Sequence, residues 1–303
     1  MKDTRITEQR NPRTEAIDLA SAEEIVDLLN AEDATVAAAV RTQRGAIAAA
    51  ITAAEQTLQS GGRVFYVGAG TSGRLGVLDA SEIPPTFGAP PDKFQGIIAG
   101  GHAALTRSQE GAEDRPAGAR DDLDQAGVRA TDFVIGIAAS GTTPYVRAAL
   151  VHARTIHAKT AIIACSPPPA ETVALADIAI VVVTGPEAVT GSTRLKAGTA
   201  TKMVLNMIST GAMIRLGKTY GNLMVDLLAT NEKLLDRSER IVAELCDGDR
   251  QMARTLLMQS GGVVKVAIVM HLLSISRADA EKALERVGGV VRAATHMSPP
   301  RVK

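Results

Sequence analysis

The sequence predicts an α/β protein built on a doubly wound, parallel, five-stranded sheet, with helices before it and a small helical region after it. Three observations carry this. Five short apolar runs rich in β-branched residues follow one another: Val64–Val67, Ile97–Ala99, Phe133–Ala138, Thr160–Ala164 and Ile178–Val183. Helix-like stretches separate them, notably Pro144–Ile156. The runs are continuous rather than alternating, which is the pattern of strands covered on both faces by crossover helices.

The remaining elements follow in order. Residues 21–59 read as two helices. Ser21 and Glu24 fit a capping box, Ile25, Leu28 and Leu29 share a face, and Val36, Val40, Ile47, Ile51 and Leu58 repeat at helical spacing up to Gly61-Gly62. After Gly185 the pattern is helical to the end: a long helix over about Thr193–Leu216, another over about Asn222–Leu245, and three short ones within 249–294. The tail Ser298–Lys303 reads as disordered. No internal repeat is present. The expected domains are an N-terminal helical segment (1–60), a central ligand-binding domain (61–220) and a helical C-terminal region (221–303).

Composition narrows the partners. Lys plus Arg equals Asp plus Glu at 33 each, so no global field recruits nucleic acid or an anionic membrane. Aromatics are 2% with no Trp, which also removes stacking platforms for single strands. Cys165 and Cys246 lack metal or redox spacing and read as buried, reduced thiols. The charged first fifteen residues have no signal-peptide core, and no apolar stretch approaches the roughly 20 residues of a membrane span. A soluble, cytoplasmic protein is expected.

The loops carry the chemistry. The first strand runs into Gly68-Ala-Gly-Thr-Ser-Gly-Arg74, literally G-x-G-x-x-G, so a dinucleotide must be weighed. That reading needs a ribose-binding carboxylate at the end of the second strand, where this chain has Ile98-Ala-Gly-Gly101. The loop instead presents Gly70, Thr71 and Ser72, whose hydroxyls and N–H groups suit a terminal phosphate. A structural tight turn would explain the glycines alone. The third strand supplies a second small, hydroxylated loop, Ser140-Gly141-Thr142-Thr143, ahead of Pro144. Helix capping would explain Ser140 and Thr143 singly. Two such loops at adjacent strand ends make a cup for a phosphate monoester. A third segment, Thr190-Gly-Ser192-Thr-Arg194-Leu-Lys196, opens the long helix; cations there oppose the helix dipole unless an anion lies nearby. Ser192 is a candidate ligand, Arg194 and Lys196 weaker ones.

Carboxylates complete the set. Glu82 lies at the end of the helix that follows the first loop and Glu113 beyond the second strand, so both are expected on the side where the loops gather. Paired there they could act as general acid and base if burial raised their pKa values; most glutamates are simply surface groups. Asp79, Glu110 and Asp114 compete, and residue type does not choose among the five. His102, His152, His157, His271 and His296 show no ligand spacing, so no metal and no cofactor is expected.

These motifs resemble a known family. The run Gly68–Glu82, Ile98–Gly101, Glu110–Asp114, Gly136–Gly141, Val189–Thr199, Gly221–Asp226 and Thr230–Lys233 is similar to the signature of the N-acetylmuramic acid 6-phosphate etherases, of the sugar isomerase (SIS) fold. The likeness extends from Thr7–Pro12 to about Ala294; Ile83 before Pro84-Pro85 and Thr142-Thr143 are small departures. The resemblance implies cleavage of a D-lactyl ether, Glu82 as catalytic acid with Glu113 as its partner, no cofactor, a small-molecule amino-sugar phosphate as partner, and a homodimer. Two rivals remain open. A SIS-type aldose–ketose isomerase would not be expected to share the Ala80-Ser-Glu82 and Gly111-Ala-Glu113 motifs. A non-catalytic sensor resembling glucokinase regulatory protein would be expected to run longer, with a second SIS-like half.

Overall fold

The computed structural model describes residues 5–227 and 232–295. The tail expected to be disordered, His296, and Thr230-Asn231 of one motif lie outside them. Three 3₁₀ turns (Ile6–Glu8, Pro12–Thr14, Ile17–Leu19) lead into α1 (Ala22–Asp33), α2 (Val36–Thr42) and α3 (Arg44–Gln59). The sheet region comprises β1 (Val64–Gly68), α4 (Gly70–Phe87), β2 (Phe94–Ile98), short α5 (Ala103–Thr106), α6 (Pro116–Gln125), β3 (Phe133–Ile137), α7 (Pro144–Thr155), β4 (Lys159–Ala164), short α8 (Ala170–Val173) and β5 (Ile178–Val181). Then come α9 (Lys196–Arg215), the two-residue strands β6 (Thr219–Tyr220) and β7 (Leu223–Met224), α10 (Glu232–Leu245), α11 (Arg250–Gln259), α12 (Val264–Leu273), α13 (Arg277–Arg286) and α14 (Val291–Thr295).

All five strands of the large sheet are parallel, in the order β2-β1-β3-β4-β5. The chain therefore winds outward first to one side and then to the other, and β1 and β3 meet at the reversal. Successive side chains of β1 serve opposite faces. Phe65 and Val67 join the buried cluster built with Tyr145, Val146 and Leu150 of α7 and Leu123 of α6. Tyr66 points the other way, donating its hydroxyl to Asp79 of α4 at 3.2 Å. Helices thus cover both faces, as the continuous apolar runs require.

The chain divides into two compact units: residues 1–81 with 92–209, and residues 82–91 with 210–303. The second has its own core, with Val225, Ile241, Val242, Ala253, Ile268 and Leu284 buried. Among the described residues no single helix is long and apolar enough to cross a membrane.

Several boundaries differ from the sequence expectation. The capping box at Ser21 and Glu24 forms, but residues 21–59 make three helices, because the chain breaks at Thr35 and again at Gln43. Gln43 serves the sheet instead: its Oε1 accepts from the Val181 N–H of edge strand β5 at 3.1 Å. The second strand begins at Phe94, earlier than Ile97. The helix expected from Asn222 is described over Glu232–Leu245, and residues 219–224 form a hairpin around Gly221, whose φ of +57° ends any helix. Among the described residues four short helices, not three, follow α10.

Candidate active site

The carboxyl ends of β1 and β3 lie side by side, register pairs running from Val64–Phe133 to Gly68–Ile137. Their loops are consequently neighbours at the point where the winding reverses, where open α/β sheets bind ligands. The β1 loop is built for close approach. A side chain on Gly73 would stand 2.7 Å from the Gly68 carbonyl and 2.7 Å from Ile98, so only glycine lets α4 begin this near the strand end. The first-turn N–H groups of α4 lack intrahelical acceptors, and Gly70, Thr71 and Ser72 present them at the sheet edge.

In the β3 loop, Ser140 and Thr142 share a hydroxyl–hydroxyl bond of 2.7 Å, and the Thr142 N–H donates to Ser140 Oγ at 3.3 Å. Gly141 sits at φ +69° with a prospective Cβ 2.2 Å from Pro168, a conformation and a space that exclude other residues. Thr143 holds the N-cap position of α7 but makes no side-chain cap bond. Capping therefore does not account for these hydroxyls: Thr143 leaves the helix end uncapped and Ser140 bonds within its own loop.

The α7 N-terminus is served from elsewhere. The Tyr145 N–H donates to the backbone carbonyl of Glu113 at 3.0 Å. One bond thus ties the Glu113 segment to the β3 loop. Tyr145 also donates its hydroxyl to Asp122 of α6, and burial pushes that phenol's pKa up. A cleft of about 260 Å³ opens beside the β1 loop, lined by Gly70 and Arg74 on one side and Ser108, Glu110 and Glu113 on the other. Three of the candidates, Gly70, Glu110 and Glu113, accordingly face one cavity. Glu113 is exposed there rather than buried, and so are Glu110 and Asp114.

The other candidates fall as follows. Glu82 stands on α4 two residues before Pro84-Pro85; it is exposed and belongs to the second unit. Asp79 is buried and committed, accepting from Tyr66 and pairing with Lys202 at 3.0 Å. Burial first, and the Asp79 charge second, hold the Tyr66 pKa above the ordinary phenol value. Ser192 lies in the turn before α9, its N–H donating to the Val189 carbonyl at 2.9 Å. The first turn of α9 packs toward the β1 loop, since a methyl on Gly198 would come within 3.7 Å of Thr71. Lys196 is not a ligand candidate here. It is 1% exposed and its Nζ donates to Glu32 Oε2 at 2.5 Å.

Lys196 and Glu32 form a buried ion pair that the exposed Arg13 joins from the surface. Arg13 donates to both oxygens of Glu32, and these bonds hold the Glu32 carboxyl down to about 2. Glu187 accepts from the Lys196 and Ala197 N–H groups, each at 2.9 Å, and caps α9; burial raises its pKa. The anion that relieves the helix dipole is therefore the protein's own. A strap of N-terminal residues seals the region. Thr14 Oγ1 donates to the Ala188 carbonyl at 2.8 Å, Asn11 Nδ2 to that of Pro186 at 3.4 Å, and the Thr7 carbonyl accepts from Gly191 at 3.2 Å.

Sequence reasoning passed over Arg74. It follows Gly70 by four residues, one helical turn along the same face of α4, so its place in the cleft was readable once α4 was known to start at Gly70. The cysteines are buried and form no disulfide; the Cys165 thiol donates to the Ala197 carbonyl at 3.4 Å, and burial pushes its pKa up to about 12. Among the described residues no group of three or more His, Cys, Asp or Glu side chains is placed to hold a metal ion.

Comparison with known proteins gives the setting. A family model described as the glucokinase regulatory protein N-terminal SIS domain matches residues 46–154. Among solved structures, a phosphoheptose isomerase from Neisseria gonorrhoeae is 15% identical with a TM-score of 0.46, over 63% of this chain and 98% of that one. Whole-length relatives are much nearer. An N-acetylmuramic acid 6-phosphate etherase of Mycolicibacterium smegmatis is 52% identical, covering 95% of this chain and 96% of that protein. One from Rhodopirellula baltica is 52% identical over 93% of each, and one from Pectobacterium atrosepticum 53% over 96% of each. With identity near one half across almost the full length of each, this chain belongs to the N-acetylmuramic acid 6-phosphate etherase family.

Proposed function

We propose that the protein is an enzyme that cleaves the D-lactyl ether of N-acetylmuramic acid 6-phosphate, giving N-acetylglucosamine 6-phosphate and D-lactate. The observation that carries this is half-identity to etherases across nearly the whole chain. The hydroxylated loops at the neighbouring ends of β1 and β3, and the cleft beside Gly70, suit such a substrate. With the sugar ring open, C1 is an aldehyde and the C2 proton is acidic. A base removes that proton, an acid protonates the lactate oxygen as its bond to C3 breaks, and water adds across the C2–C3 double bond. Glu82 is proposed as the acid and Glu113 as its partner in proton transfer, by motif correspondence. Gly70, Thr71, Ser72, Ser140, Gly141, Thr142, Thr143 and Ser192 are proposed to hold the phosphate. The ligand-binding domain is placed at 61–220, between the 1–60 helical segment and the 221–303 helical region. A cytoplasmic homodimer is proposed on the same resemblance.

The direct test is incubation with N-acetylmuramic acid 6-phosphate and assay for free D-lactate. Lactate release is expected. Interconversion of an aldose and a ketose phosphate without lactate would favour the isomerase instead. For the phosphate cup, Ser72→Ala and Ser140→Ala should each weaken substrate binding by about 1–3 kcal/mol, the range for losing a hydrogen bond to a charged group. Unphosphorylated N-acetylmuramic acid should be a poor substrate; equal efficiency on it would show that the loops hold something else.

A further inference from the structure

The substrate of the proposed reaction carries two anions, and the hydroxyl loops account for one. The cleft beside Glu113 has the means to take the other. Of the residues that line it, Arg74 alone is cationic, while Glu110 and Glu113 add two carboxylates. A second carboxylate entering that space would be repelled unless a cation met it. Arg74 is anchored for such a role: its Nε donates to the Leu105 carbonyl at 3.1 Å, which orients the guanidinium, and among the described residues its two terminal nitrogens have no hydrogen-bond partner. Among the described residues Arg74 forms no ion pair, although two glutamates line the same cavity. The hydroxyls of Thr71, Ser72 and Ser140 are not part of this lining; of the loop residues proposed to hold the phosphate, Gly70 borders it.

On the basis of the proposed etherase reaction, we infer that Arg74 binds the carboxylate of the substrate's lactyl group. A guanidinium meets a carboxylate through two parallel N–H···O bonds, which fixes direction as well as charge. Such a grip would set the lactyl ether beside Glu113, and it would make the site read the lactyl group itself. Sugar phosphates without that acid would gain nothing from Arg74.

The test compares the full-length wild type with Arg74→Ala and Arg74→Lys. The readouts are KM for N-acetylmuramic acid 6-phosphate and the inhibition constant of N-acetylglucosamine 6-phosphate, which keeps the phosphate and lacks the lactyl acid. Arg74→Ala should raise KM by roughly 10- to 150-fold, the span for losing hydrogen bonds to a charged partner. Inhibition by N-acetylglucosamine 6-phosphate should stay within about twofold of wild type, which also shows that the fold and the phosphate cup persist, since coupling requires a differential contact. Arg74→Lys should fall between, keeping the charge and losing the fork. Parallel loss of both ligands, or an unchanged KM, would overturn the assignment. A wild type that releases no lactate overturns the etherase reading and this one with it; an active wild type with an unaffected Arg74→Ala overturns this one alone.

Discussion

Replacing Glu113 with Gln is expected to lower turnover by at least about 10²–10⁴-fold, the usual contribution of a general acid–base group. The backbone of Glu113, not its carboxylate, holds the α7 N-terminus through Tyr145, so the substitution leaves that bond in place. The loss then reports on chemistry. Isotopes separate the roles. Turnover in deuterated water should place solvent deuterium at C2 of the N-acetylglucosamine 6-phosphate, and water oxygen should enter at C3 and not in lactate. If Glu113 is the C2 base, Glu113→Gln should lose C2 exchange together with cleavage. Glu82→Gln should cleave slowly, because a neutral amide cannot protonate the departing lactate, yet should retain slow exchange at C2. Labelled oxygen in lactate would overturn the elimination route, and near-normal turnover by either variant would remove that residue from the reaction.

The second large effect lies in stability. Glu32→Gln should destabilise the fold by about 3–5 kcal/mol, because it strands the buried Lys196 ammonium without its carboxylate. Lys196→Met is the informative control. It leaves Glu32 with Arg13, so its cost should be clearly smaller. The pH dependence has a definite sign. The Glu32 carboxyl is held down to about 2 in the folded chain, from an ordinary 4.5. Its stabilisation is complete above the ordinary value and is lost as pH falls from there towards 2. Denaturant melts at several pH values should show this loss in the wild type and a shallower slope in Glu32→Gln. A Glu32→Gln protein within about 1 kcal/mol of wild type would show that the Glu32–Lys196 pair is not essential to the fold.

The sheet was legible because its strands are buried on both faces, which leaves unbroken β-branched runs in the sequence. Adjacency of β1 and β3, and with it the meeting of two hydroxylated loops, followed from the fold class alone. Most of what escaped at the site depended on tertiary partners. Lys196 looked like a solvated or ligand-binding cation, since its partner Glu32 lies 164 residues away and no local spacing announces it. Asp79 and Glu82 looked alike as acids on one helix; only tertiary structure shows Asp79 committed to Tyr66 and Lys202 while Glu82 stays exposed. The β6–β7 hairpin escaped because two-residue strands carry too little pattern to oppose a helical reading.

The strap also has a consequence for synthesis. Its anchors join residues far apart in time as well as in sequence, with separations of 174 and 175 residues for Thr14 and Asn11. At roughly 5–20 residues per second on the ribosome, the strap waits about 10–35 s before Pro186 and Ala188 are even made. Until then Glu32 has Arg13 but no lysine, and α9 has no beginning. The strap's bonds to residues 186–191 can therefore form only after β1 to β5 have been made. Its closure comes late, when the oldest part of the chain meets one of the newer ones.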